Sequence, residues 1–144
     1  MEKYLLVEGR AVEYLKDKKR RIQQLISLPI IWSVLIPLII FDIWTELYHR
    51  ICFPLYGLKY VKRSDYIRID RHKLKYLTWS QKIGCAYCGY VNGFASYGSV
   101  IAGRTEKYWC GIMQQKYPGF KAPAHHRDFV KYGDEKAFRK KYQE

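Results

Sequence analysis

Cys85 and Cys88 enclose two residues in the run CAYC, Gly89 follows directly, and Cys110 lies 22 positions beyond Cys88. Thiolates spaced this way, with a glycine after the second, have the form of a metal knuckle. The glycine lets backbone N–H groups turn toward the sulfurs, and soft thiolates select zinc or iron. A tetrahedral site needs a fourth ligand, and the candidates, in order, are His125, His126, His72 and Cys52. His125 and His126 sit 15 and 16 residues beyond Cys110, within loop reach, whereas Cys52 would require the chain to fold back. One CxxC plus a third cysteine is a weaker signal than a doubled CxxC. The same thiols can equally be inert and packed, since free cysteine is among the most buried residue types.

The elements that would position these residues read as helical. If 76–90 is a helix, Cys85 and Cys88 share a face at i, i+3. Asn92-Gly93 is a turn signal, and a second helix from Phe94 to Gln115 would bring Cys110 back. That predicts an αα-hairpin with three sulfurs inside, able to hold a metal, a disulfide or packed thiols. CAYC also resembles the CxYC of glutaredoxin-like enzymes, where a helix N-terminus activates the first thiol. The preceding LTWSQKIG reads as helix and no βαβ unit follows, which speaks against that fold. The sequence has no Gly-rich phosphate loop, no GxSxG and no HExxH. Glu106, with Arg104 and Lys107, reads as a solvated face with weak ion pairs, although Glu106 could orient a ligand. Ala95, Gly98, Ser99, Ala102 and Gly103 mark a smooth face suited to close helix packing.

Upstream, Leu25 to Phe41 holds no charge in a chain that is 27% charged. With Asp42, Ile43 and Trp44 it reaches the roughly 20 residues a membrane helix needs. It starts too deep for a signal peptide, and no small-residue cleavage site follows. Both flanks are basic: Lys16, Lys18, Lys19, Arg20 and Arg21 before it, and Arg50, Lys59, Lys62, Arg63, Arg68 and Arg71 after it. Both therefore ask to be cytoplasmic. Pro29 and Pro37 break or kink helices, so a re-entrant hairpin bent near Pro37 competes with one kinked, tilted span. Trp44, Tyr48, Phe53, Tyr56 and Tyr60 alternate with charged residues, as rings at headgroup level do. The net charge of +13 and pI near 9.6 suit anionic lipids, at about 1 kcal/mol per Lys or Arg near the surface.

The predicted fold class is mainly α: a membrane-embedded helix or re-entrant helical hairpin, then a small helical cysteine-bearing domain. The boundaries are a basic amphipathic helix in 1–24, a membrane segment at 25–48 and an interfacial connector at 49–73 with a strand-like stretch from Tyr66 to Asp70. The small domain and its basic tail occupy 74–144. A domain this short gains from a staple such as a metal.

The stretches SDYIRIDRHKLKYL, CAYCGYVNG and RTEKYWC, within about Asp65 to Cys110, resemble a family of small uncharacterised bacterial membrane-associated proteins. The likeness covers roughly a third of the chain. Family members carry a proline directly after the third cysteine and a histidine four positions after it, where this chain has Gly111 and Gln114. If that histidine is the family's ligand, the fourth position here passes to His125 or His126. The resemblance implies an organised cysteine domain on a membrane anchor and no reaction. Three functions remain open. The first is a non-catalytic membrane-anchored accessory or assembly subunit of a larger membrane complex, with Cys85, Cys88, Cys110 and His126 or His125 on zinc or iron and the domain cytoplasmic. The second is a membrane-linked thiol or metal redox protein. The third is a basic nucleic-acid-binding module, disfavoured because no recognised motif is present.

Overall fold

A computed structural model describes residues 18–143, with side chains from Ile22 onward. Most of the predicted basic helix therefore lies outside the described residues. The described chain is mainly α and divides into two compact units, one ending at Phe41 and one beginning at Asp42.

Helices α1 (Lys18–Ser33) and α2 (Leu35–Leu55) are separated by Val34 alone. The interruption has a local cause: Pro37 has no N–H for the Ser33 carbonyl, and its ring crowds that carbonyl. The Leu38 amide restarts the ladder on Val34 at 3.2 Å. One residue is too short to reverse the chain, so the hairpin arms expected around Pro37 do not form. The segment Ile22–Leu55 is long and apolar enough, by length and composition, to cross a membrane.

Helix α2 ends on Pro54 and Gly57, and each residue acts through a bond it makes or lacks. Pro54 has no N–H for the Arg50 carbonyl, which instead accepts from the Tyr60 hydroxyl at 3.2 Å. Gly57 takes φ +67°, placing its amide on the Pro54 carbonyl at 3.1 Å and the Leu58 amide on that of Phe53 at 2.9 Å. This is the paired closure of a Schellman cap.

The connector carries two 3₁₀ turns, Arg63–Asp65 and Arg71–Lys73, and the strand-like Tyr66–Asp70 forms no strand. It leads to α3 (Trp79–Trp109), 31 residues long and opened by a capping box between Thr78 and Gln81. Within the second unit α2 and α3 run parallel: Tyr90 meets Asp42, Tyr97 meets Glu46 and His49, and Thr105 meets Tyr48. Asp42, Thr45, His49 and Phe53 are the buried face of α2, recurring at helical spacing. Phe53, expected at headgroup level, is fully buried and packs edge-on against His49 at 4.5 Å. Phe94, Tyr97 and Ile101 complete the core from α3.

Glycine lets the connector lie directly on α3. A Cβ at Gly93 would stand 2.7 Å from the Tyr66 carbonyl and 2.8 Å from Ile67 Cα. Beyond α3, a single parallel bridge pairs Ile112 with Val130. A 3₁₀ turn spans Ala124–Asp128, and α4 (Glu135–Tyr142) is capped by Asp134.

Candidate functional site

Cys85 and Cys88 lie one turn apart in α3, and Cys110 is that helix's C-cap. Since α3 is unbroken, the 22 residues between Cys88 and Cys110 extend about 33 Å at 1.5 Å per residue. The expected convergence of the three thiols therefore does not occur, and all four cysteines are free. Asn92-Gly93, read as a hairpin turn, sits inside the helix. The Asn92 amide donates to the Cys88 carbonyl at 3.0 Å, and Gly93 is needed for the connector crossing. Gly89 serves the same purpose: its missing Cβ leaves room for the Arg68 carbonyl, 2.7 Å from where that carbon would be. Cys52 is half-buried on α2 and His72 lies in the exposed Arg71–Lys73 turn. Neither joins a group of ligand-type side chains among the described residues.

His125 and His126 are brought together on a different partner. Both belong to the Ala124–Asp128 turn and both rings face Glu106 in the last turns of α3. His125 Nε2 stands 2.6 Å from Glu106 Oε2, while His126 Nε2 stands 3.1 Å and 3.2 Å from the two carboxylate oxygens. His126 is 1% exposed and stacks on Phe129 at 4.7 Å. The approach of His125 depends on Gly103, where a Cβ would stand 2.8 Å from the ring Nδ1. The hydrogen bond from His125 is the largest influence on the Glu106 carboxyl; burial opposes it, and with the further bond from His126 the balance holds the carboxyl below its usual range. Glu106 thus stays ionised. Lys107 is drawn aside by Asp128 at 3.0 Å. Next to the cluster an open groove of about 430 Å³ is lined by Ser99, Gly103, Lys107, Pro123 and His125.

A second polar group, on the inner face of α2, was not singled out from the sequence. Arg63 reaches Asp42 with both terminal nitrogens at 2.5 Å, and the Tyr90 hydroxyl donates to the same carboxylate at 2.7 Å. Two turns on, the Val61 amide donates to His49 Nε2 at 3.0 Å, which leaves the ring proton on Nδ1. That proton goes to the Tyr97 oxygen at 3.0 Å, and the Tyr97 hydroxyl donates to Glu46 at 3.0 Å. Arg63 lies over the Tyr97 ring, 5.6 Å from its centroid. Burial first, and then the carboxylate each one bonds, push both tyrosine hydroxyls up to about 12. The signal available in sequence was the spacing of Asp42, Glu46 and His49, at i, i+4 and i+7 in a helix that is mostly apolar.

Comparison with protein-family models, with curated proteins and with solved structures gave no match.

Proposed function

We propose that this chain is a non-catalytic, membrane-anchored accessory or assembly subunit whose helical domain sits at the cytoplasmic face of a larger membrane complex. The observation that carries the reading is the orientation of α2 within the second unit. Its polar residues Asp42, Thr45 and His49 are turned inward, while Ile43, Trp44, Leu47, Ile51 and Leu55 are exposed, from 48% to 76%. A helix on a water-facing surface has the opposite arrangement, with its apolar stripe inward. Ionisable residues in a membrane helix face protein and find partners there, as Asp42 does with Arg63 and Glu46 with Tyr97. In the first unit, Ile22, Leu25, Ile26, Ile30 and Ile36 are likewise exposed. Exposed Lys59, Lys62, Arg68 and Arg71 supply the positive charge that favours the cytoplasmic side and anionic headgroups.

The test is flotation of the full chain with vesicles containing anionic lipid, followed by salt and carbonate washes. Retention through both washes, lost on deleting residues 25–41, is the expected result. Release by salt alone would reduce the membrane role to surface charge and overturn the anchor. Labelling of cysteines introduced beside Lys62 then reads the side: modification only after the membrane is opened to the cytoplasmic compartment is expected.

A further inference from the structure

We infer that Glu106, His125 and His126 form a site for one divalent borderline metal ion, zinc foremost, that ties the C-terminal segment to α3. The site is independent of the membrane reading and uses none of the cysteines.

The donor set comes first. Two imidazoles and one carboxylate suit zinc or ferrous iron and leave positions open for water. Their ligand atoms all lie within 4.8 Å of one another, and no other such group occurs among the described residues. With Zn–N and Zn–O bonds of about 2.0–2.1 Å, neighbouring ligand atoms stand roughly 3.0 Å apart in an octahedral shell and roughly 3.4 Å in a tetrahedral one. The separations here, 2.6 Å for His125 and 3.1 Å and 3.2 Å for His126, need open by only tenths of an ångström to about 1 Å. The two histidines are adjacent and held by one turn, while the glutamate is fixed by a long helix, so that opening asks little of the backbone.

The surroundings agree. His126 Nε2 is the ring nitrogen that faces the carboxylate, while Nδ1 on the far side of the ring is buried without a hydrogen-bond partner among the described residues. His125 is 30% exposed on its side chain and lines the open groove, which gives an ion and its remaining water ligands a way in. Gly103 matters again here, because any side chain at that position would push His125 off the cluster. The bonding without metal places two imidazoles on a single carboxylate, and an ion between the three groups would turn that crowding into coordination.

The experiment uses the full chain, solubilised in detergent and purified without a polyhistidine tag, loaded with zinc and separately with cobalt(II). X-ray absorption of the zinc form is expected to show a shell of nitrogen and oxygen at about 2.0–2.1 Å with imidazole scattering and no sulfur near 2.3 Å. The cobalt form is expected to lack thiolate charge-transfer absorption. Glu106→Gln should lower zinc affinity by more than about a hundredfold, while the double variant Cys85→Ser/Cys88→Ser leaves it unchanged. A sulfur-containing shell, loss of zinc in the cysteine variant, or failure of the unmutated chain to retain zinc against a weak chelator would each overturn the site. The absorption measurement needs no variant, so a poorly folding Glu106→Gln does not decide the matter.

Discussion

Tyr97→Phe removes one oxygen from a fully buried side chain and keeps the ring that fills the core. The oxygen lost is the middle of a chain of bonds: it accepts from His49 Nδ1 at 3.0 Å and donates to Glu46 at 3.0 Å. His49 is 2% exposed, so its ring N–H is left without an acceptor and without water. An unsatisfied buried donor costs about 1–3 kcal/mol, and a hydrogen bond to a charged group contributes about 1.5–3 kcal/mol. Glu46 keeps Arg50 at 3.7 Å and is 24% exposed, so only part of the second quantity is lost. The expected loss is about 2–3 kcal/mol, or roughly 10–15 °C in melting temperature for a domain of about a hundred residues. Near-UV circular dichroism of the detergent-solubilised chain follows the tertiary signal, which helix persisting in detergent does not mask. Tyr60→Phe is the control. Its hydroxyl donates to the Arg50 backbone carbonyl, but the residue is 57% exposed, so water replaces the bond and the cost stays below about 1 kcal/mol. A Tyr97→Phe protein melting within a few degrees of the parent would refute the bridging role of the hydroxyl.

Two glycines of α3 should respond oppositely to alanine. Gly93→Ala drives a Cβ into the connector backbone and is expected to cost about 1–3 kcal/mol, whereas Gly98→Ala, whose Cβ meets only Phe94 Cζ at 4.0 Å, should gain about 0.5–1 kcal/mol from helix propensity; urea midpoints read both. The pH dependence is set on the alkaline side by Tyr90 and Tyr97. Each has its folded value raised from 10.0 to about 12, so the stability they contribute is complete below pH 10 and is lost as pH rises from 10 toward 12. Denaturation midpoints across that window should fall for the parent and fall less for Tyr97→Phe.

The helical class and the apolar segment were legible in the sequence because both depend on local pattern. Leu25 to Phe41 announces itself by its lack of charge, and capping by Thr78 with Gln81 and by Asp134 follows from residue type. What failed was Asn92-Gly93. The pair carries a turn signal, yet the glycine is there to let Tyr66 and Ile67 cross α3, a reason that lies some 26 residues upstream. Reading a turn there folded α3 in two and brought Cys110 back to Cys88. For the same reason Gly89 looked like part of a knuckle. His125 and His126 were visible as ligand types, but Glu106 read as a solvated carboxylate because its partners are 19 and 20 residues away. Asp42 read as part of the membrane segment, and nothing in the local pattern names the partners of Asp42 or His49. Only the packed α3 shows that they face inward.

Residues 42 to 55 of α2 are at once part of the apolar helix and one wall of the helical domain. The domain therefore has no tether that could be cut to release it. A truncation that begins after this stretch discards Asp42, His49 and Phe53, and with them the partners of Arg63, Tyr90 and Tyr97. One that keeps the stretch carries Ile43, Trp44, Leu47, Ile51 and Leu55 into water as a sticky edge. Rotation has the same consequence. An α-helix turns about 100° per residue, so a twist of α2 by one position would take Asp42 and His49 out of register with α3. Any twist imposed on residues 42 to 55 is felt directly by the domain's hydrogen-bonded core.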